Sequence, residues 1–291
     1  MKTVGLFGLG LIGMAISERC LDAGYAVVGH DPNAERRTVF AQAGGILSEP
    51  HDVWGAGIVI AAVFDTNQLA SLIEHAPSGT ENLLVAMSTC DPSRMATLET
   101  TAAQKSISLV EAPISGTSEA MRAGRATLFL AGSTSSLERF LPFLPVLCKA
   151  HFYTGPIGNG NRTKLAINLI LGINRAALAE GLLFAEHLGL ESEDFLSLAK
   201  QSAAYSSVMD GKGSKMVSRA FQPLGRISQS RKDFGLIRDT ATKIGISRLP
   251  FAELYLAMMD DCVSAGEQDL DNAAIINAIE RVAVPLRSTP S

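Results

Sequence analysis

The sequence is poor in the features that commit a chain to metal, disulfide or nucleic-acid chemistry. Its four cysteines, Cys20, Cys90, Cys148 and Cys262, stand far apart and form no CxxC pair. That spacing argues against a disulfide framework or zinc ribbon and suits a reducing compartment. The histidines His30, His51, His75, His151 and His187 show no ligand spacing of the HExxH kind, and no GxSxG elbow is present. No metal site is expected. The charge excess is small, a net −4, without the basic balance that nucleic-acid binding favours. Long hydrophobic runs are missing as well. No segment offers eighteen unbroken apolar residues, so no membrane span is expected. The opening MKTVGLFGLGLIGMAISERC mimics a signal peptide, but Gly5, Gly8, Gly10 and Gly13 interrupt its apolar run. No small-x-small site follows, and Glu18 and Arg19 resume the charged face of an amphipathic helix. The expectation is a soluble, cytoplasmic protein with no membrane or nucleic-acid partner.

What is present is a change of pattern along the chain. With 291 residues and 47% hydrophobic content, the chain can bury one large core or two ordinary ones. Up to about residue 155, short apolar runs alternate with helical stretches, the signature of βαβ units. Strands are expected at Thr3–Phe7, Ala26–His30, Ile58–Val63, Leu83–Met87, Ser108–Glu111, Ala126–Ala131 and Phe152–Thr154. Helices are expected at Leu11–Ala23, Ala34–Ala43 and Thr66–His75, and Pro92 sits where a helix first turn tolerates proline. From Thr163 to about Leu188 the chain reads as one long helix. Ser192–Ser202, Asp233–Ile244, Pro250–Ala265 and Asn272–Val284 follow as helices, then a frayed PLRSTPS tail. The fold class implied is a Rossmann-type, doubly wound α/β N-terminal domain (1–158), followed by an all-α C-terminal domain (159–291) joined by a long helix.

Gly8, Leu9, Gly10, Leu11, Ile12 and Gly13 form a GxGxxG between the first strand and the first helix. Such glycines let backbone amides at a helix N-terminus approach a pyrophosphate. The second strand leads to Asp31, eighteen residues after Gly13, where a carboxylate accepts from a ribose 2′-hydroxyl and repels a 2′-phosphate. NAD is therefore the expected cofactor, with Arg36 and Arg37 as groups that can serve NADP. Val63 and Phe64 are counted with the cofactor contacts. Ser88-Thr89 and Ser115-Gly116-Thr117-Ser118 lie beyond strand ends, where ligands bind in open α/β sheets. The second of these reads equally as a carboxylate cradle or as a plain polar turn. Lys164 and Asn168 are four apart and share one helix face that continues apolar. The glycine-rich GPIGNGN before them is expected to bring the helix N-terminus to a cofactor. A lysine so placed can protonate a carbonyl or deprotonate an alcohol.

Taken together, GLGLIG (8–13), ST…P (88–92), EAPISG (111–116), GNGNRTKLAIN (158–168), KDFGLIRD (232–239) and a late Gly266, Asp269, Asp271 segment resemble the β-hydroxyacid dehydrogenase family. That family includes 3-hydroxyisobutyrate dehydrogenase, tartronate semialdehyde reductase and glyoxylate/succinic semialdehyde reductases. The resemblance runs nearly end to end. It implies Lys164 as catalytic lysine, Asn168 as its support, Ser115-Gly116 as the substrate-carboxylate turn and Thr89 as a cofactor contact. It also implies Lys232 as a lysine reaching cofactor or substrate, and a homodimer or homotetramer acting on a small hydroxy acid or semialdehyde.

Two departures stand out. Where the family commonly has Ser-Gly-Gly, this chain has Thr117 in third place. Residues 212–232 hold Lys212, Lys215, Arg219, Arg226, Arg231 and Lys232 without an acid between them. Thr117 and Arg231 are therefore added as substrate contacts, for a substrate with a second polar or anionic group. Two alternatives stay open. An imine reductase shares the architecture but is implied by the resemblance to carry another residue at the lysine position. A non-catalytic dinucleotide-binding module has no need of Lys164 and Asn168.

Overall fold

The computed structural model describes residues 2–79 and 81–283, so the expected PLRSTPS tail and Val284 lie outside the described residues. The chain packs as two compact units, Met1–Leu165 and Ala166–Ser291, and the division falls inside one helix, Asn159–His187.

The first unit is built on a nine-stranded sheet. Its strands are β1 (Thr3–Phe7), β2 (Ala26–His30), β3 (Ile46–Leu47), β4 (Ile58–Ala61), β5 (Leu83–Ala86), β6 (Ser108–Glu111), β7 (Ile114–Ser115), β8 (Thr127–Ala131) and β9 (Ala150–Gly155). The order is β3-β2-β1-β4-β5-β6-β8-β7, with β9 on β8; the first six strands are parallel and β8 runs antiparallel to β6. Parallel strands covered on both faces read as continuous apolar runs, which is why β1, β2 and β6 fall where the pattern puts them. Val4 and Leu6 enter one core with Ile16 and Phe40, while Phe7 enters the other with Val59 and Trp54. Helix starts follow from local chemistry. Asp65 and Asp91 accept from the Gln68 and Ser93 N–H groups as N-caps, and Pro92 takes the first helical position of Pro92–Gln104. Chain order reverses between β1 and β4, the switch point where a doubly wound sheet leaves a crevice beyond its strand ends.

The second unit is helical: Ser192–Lys200, Ser207–Val217, Ile227–Lys243, Pro250–Ser264 and Ile275–Val282, with a 3₁₀ turn at Asn272–Ala274. Three of these depart from the sequence pattern. Ser207–Val217 was not expected, because Gly211 and Gly213 lower helix propensity; packing overrides it, since a Cβ at Gly213 would meet Leu196 Cδ1 at 2.6 Å. Ile227–Lys243 begins six residues before the expected Asp233, buried at Ile227 and Ser230. Asn272–Val284 begins as a 3₁₀ turn rather than an α-helix.

The Asn159–His187 helix is long and apolar enough, by length and composition, to cross a membrane, with a mean hydropathy of 1.4 in its most apolar window. Yet Asn161, Lys164, Asn168 and Arg175 are all buried on it, and Asn161, Asn168 and Arg175 hydrogen-bond to protein groups. That is how a packed helix treats polar residues.

Two glycines on this helix invite opposite outcomes. A Cβ at Gly172 would lie 2.4 Å from the Phe234 ring, which stacks on Tyr255 with centroids 4.0 Å apart. A Cβ at Gly181 meets nothing within 4 Å. Gly181→Ala should stabilise by up to about 1 kcal/mol through helix propensity. Gly172→Ala should destabilise by about 1–3 kcal/mol through overpacking. Urea unfolding of the pair checks this, and equal effects of the two substitutions would contradict the packing described.

Candidate functional site

At the switch point, Gly8 follows β1 with φ +89, a left-handed conformation that costs glycine nothing. A Cβ there would also sit 2.4 Å from the Ala62 carbonyl oxygen, so β1 and the segment after β4 close on each other only at glycine. The helix Leu11–Asp22 starts at Gly10 with no side-chain cap. A Cβ at Gly10 would have only Arg36 Nη1, at 3.9 Å, within contact range. An uncapped helix start beside open space offers N–H groups to an anion. This fits the pyrophosphate of a dinucleotide.

Asp31 lies beside this turn and is buried. One carboxylate oxygen accepts from the Leu9 N–H at 2.8 Å, the other from the Asn33 N–H at 2.8 Å. Asp31 thus braces the glycine turn, and a carboxylate has capacity left for a ribose hydroxyl. Arg36 pairs with Asp31 at 3.4 Å while half-exposed, and Arg37 donates to the Asp31 and Pro32 carbonyls. Val63 is half-buried and its carbonyl accepts from Ser88 Oγ at 2.6 Å; Phe64 is exposed. Ser88 and Thr89 are buried where β5 ends.

In the EAPISG segment, Ser115 is half-buried in β7 opposite Thr127, and Gly116 is exposed. Thr117 is the N-cap of Ser118–Arg122, its Oγ1 accepting from the Ala120 N–H at 3.2 Å. Its extra hydroxyl therefore has a structural use. Glu111 carried no role in the sequence reading. It is fully buried, with one carboxylate oxygen accepting from the Gly158 and Gly160 N–H groups at 2.8 and 3.0 Å. The other accepts from Asn161 Nδ2 at 2.7 Å. Burial holds the Glu111 carboxyl above its ordinary range, although Asn161 and the N–H groups of the 158–161 turn oppose the shift. Glu111 takes the N–H groups of Gly158 and Gly160, so these two donors of the GPIGNGN turn are spent inside the protein. Lys164 follows within the same helix and is 7% exposed.

In the second unit, Asn168 is buried and its Nδ2 donates to Asp233 at 2.8 Å. The other Asp233 oxygen accepts from Gln229 and pairs with Lys232 at 3.0 Å. Asp233 was another omission; its place directly after Lys232 was the available signal. The acid-free stretch 212–232 is neutralised from elsewhere in the chain. Arg231 pairs with Asp260 on the exposed surface, Arg226 with Asp269 at 3.3 Å, and Lys212 with buried Asp271 at 2.6 Å. Arg231 and Asp260 are each about half exposed, and a surface pair of that kind is weak enough to leave the guanidinium open to an anion.

Two family models match the chain: the NAD binding domain of 6-phosphogluconate dehydrogenase over residues 3–155, and the NAD-binding of NADP-dependent 3-hydroxyisobutyrate dehydrogenase over residues 158–279. Glyoxylate/succinic semialdehyde reductase 1 of Arabidopsis thaliana is 28% identical over 284 residues, covering 95% of this chain and 98% of that protein. The 2-(hydroxymethyl)glutarate dehydrogenase of Eubacterium barkeri is 28% identical over 287 residues, covering 96% and 95%. A solved 3-hydroxyisobutyrate dehydrogenase from Salmonella typhimurium shares the fold, with a TM-score of 0.85 at 22% identity over 95% of this chain and 99% of that one.

The Lys212–Asp271 pair generates a pH dependence. Burial pushes Lys212 down to about 8 although Asp271 opposes it, with Arg175 adding repulsion. Burial pushes Asp271 up, but Lys212 and the Leu224 and Ala273 N–H groups outweigh it and hold the carboxyl below its ordinary range. Unfolded Lys212 titrates near 10.5, so from about 8 to 10.5 unfolding takes up a proton and stability rises with pH. Lys212→Met strands a buried carboxylate and should cost about 3–5 kcal/mol at neutral pH. Wild type should then gain further on this variant as the pH climbs through that window. Parallel stability curves for the two proteins would contradict the assignment.

Proposed function

Because the chain belongs to the β-hydroxyacid dehydrogenase family of NAD(P)-dependent oxidoreductases, we propose that it interconverts a short 3-hydroxy acid and its semialdehyde, with Lys164 as general acid–base group. One observation carries this reading: an amine only 7% exposed stands in the second turn of the Asn159–His187 helix, one turn before buried Asn168. Burying an amine is costly, and structures keep such groups where they have work.

The dinucleotide would be held by the uncapped start of Leu11–Asp22 and by Asp31, with Thr89, Val63, Phe64 and Lys232 as further contacts. When bound, it supplies or takes up a hydride at its nicotinamide ring. For reduction, the Lys164 ammonium gives a proton from Nζ to the carbonyl oxygen of the semialdehyde. For oxidation, the neutral amine accepts the proton of the hydroxyl. Asn168 spends its Nδ2 on Asp233, which leaves Oδ1 to accept from the substrate hydroxyl. The Ser115-Gly116 turn takes the substrate carboxylate, with Thr117 shaping it as a cap. NAD is the preferred cofactor in this reading, since Asp31 repels a 2′-phosphate and Arg36 is already paired with Asp31.

The same reading makes the protein a cytoplasmic homodimer or homotetramer. Ile170 and Phe184 on the long helix, Leu188 just after it, Leu198 on Ser192–Lys200, and Phe251 and Leu254 on Pro250–Ser264 are each more than half exposed, an apolar load that a second copy would cover. Light scattering at micromolar concentration should give at least a dimer, and a monomer would refute this part.

Lys164→Ala should strongly slow turnover of tartronate semialdehyde with NADH while NADH still binds by fluorescence titration. Loss of general acid–base catalysis accounts for about 10²–10⁴ in rate. Lys164→Arg should not restore it, because guanidinium keeps its proton at working pH. In the wild type, kcat/KM should be higher with NADH than with NADPH. Near-normal kcat in a folded Lys164→Ala protein would make the lysine structural and the proposed mechanism wrong.

A further inference from the structure

We propose that Glu111, acting through Asn161, is a positioning residue that sets the place of Lys164 and ties together the segments carrying Thr89, Ser115 and Lys164. The inference rests on the reading of Lys164 as the acid–base group. Glu111 and Asn161 are both fully buried. The partners of Glu111 are two backbone N–H groups and an amide NH₂, all obligate donors, so the geometry matches an ionised carboxylate accepting on both oxygens. Asn161 is read in one sense only: Nδ2 faces the Glu111 carboxylate, and Oδ1 accepts from the Cys90 N–H at 2.7 Å.

Each end of this chain of bonds lies beside a residue with an assigned role. Cys90 directly follows Thr89. Glu111 ends β6, pairs with Ala131 in β8 and opens the segment that leads to Ser115. Asn161 sits three residues before Lys164 on the same helix. The approach is too close for a side chain at residue 160, where a Cβ would sit 3.0 Å from Glu111 Cβ, Glu111 Oε2 and the Phe129 carbonyl oxygen. A negative charge at the opening of the helix also opposes the positive end of its dipole, which favours this seating. Lys164 is thus carried by a helix whose first turn is held at three points.

Complementary exchange tests this. Glu111→Gln sets an amide NH₂ against Asn161 Nδ2, two donors facing each other. Asn161→Asp sets two carboxylates together. In Glu111→Gln/Asn161→Asp, the glutamine NH₂ donates to the aspartate while its oxygen keeps the backbone N–H groups, and the Cys90 N–H still finds an acceptor. With tartronate semialdehyde and NADH, each single variant should lose kcat by about 10²-fold, the scale of a small misplacement of a catalytic group. The double variant should recover to within about tenfold of wild type, and in a Lys164→Ala background Glu111→Gln should cost nothing further. A substrate-free readout accompanies this: acetylation of Lys164 by an N-hydroxysuccinimide ester, followed by mass spectrometry with exposed Lys149 as internal reference. Its rate should rise in the single variants and return in the double.

Folded single variants with unchanged kcat and unchanged Lys164 labelling would overturn the proposal. So would a double variant that folds but stays as slow as either single, or a further loss in the Lys164→Ala background. If the single variants do not fold, the double variant decides by the same two readouts. Full activity in Lys164→Ala would instead refute the acid–base reading, and the labelling arm would still judge the clamp.

Discussion

The buried carboxylate of Glu111 and the N–H groups it collects from residues 158–161 are the constraint on which the arrangement of the first unit depends. Burying a charge is unfavourable unless donors replace the lost water, and here backbone and side-chain N–H groups do so. The same bonds supply an acceptor for the start of a helix of 29 residues, whose opening N–H groups have no partner within the helix. One side chain thereby meets its own need and the need of the helix that carries Lys164. The glycine at 160 follows from this, since a Cβ there would sit 3.0 Å from Glu111 Oε2, while Gly158 answers to its own left-handed φ of +94.

Asp31 repeats the device at the glycine turn after β1. Its carboxylate takes the Leu9 and Asn33 N–H groups, so the turn between β1 and Leu11–Asp22 is braced from the end of β2. Asp233 does the same in the helical unit, holding the Asn168 amide, Gln229 and Lys232. In each case a buried acid orients other groups instead of reacting. This separates residues that hold the site from those assigned its chemistry. It also gives each glycine-rich or amide-bearing motif a physical reason to be where it is.

Much of this was legible in the sequence, and the limits are physical. Parallel strands buried on both faces leave apolar runs, so Thr3–Phe7, Ala26–His30 and Ser108–Glu111 could be read directly. The glycine motif and Asp31 were visible because their spacing is local. Ser207–Val217 was hidden because its stability comes from packing on Leu196, and propensity speaks against it. The role of Glu111 was hidden because its partners lie 47 to 50 residues further on, and nothing in a strand ending in glutamate names them. Distance in sequence also hides the ion-pair partners of Arg226 and Arg231. The acids that answer them, Asp269 and Asp260, come from other segments, so a stretch that looks basic along the chain is neutralised in space.

The central claim is that this chain moves a hydride between a nicotinamide dinucleotide and a short semialdehyde or hydroxy acid. The most direct measurement incubates the purified protein with tartronate semialdehyde and NADH deuterated at the transferring position of the nicotinamide ring, then analyses the product by mass spectrometry. The account predicts one deuterium on the newly formed carbinol carbon of the hydroxy acid, and far slower formation of that labelled product by protein lacking the Lys164 amine. Hydroxy acid formed without the label, or no reduction of any short semialdehyde under conditions where NADH binds, would contradict it.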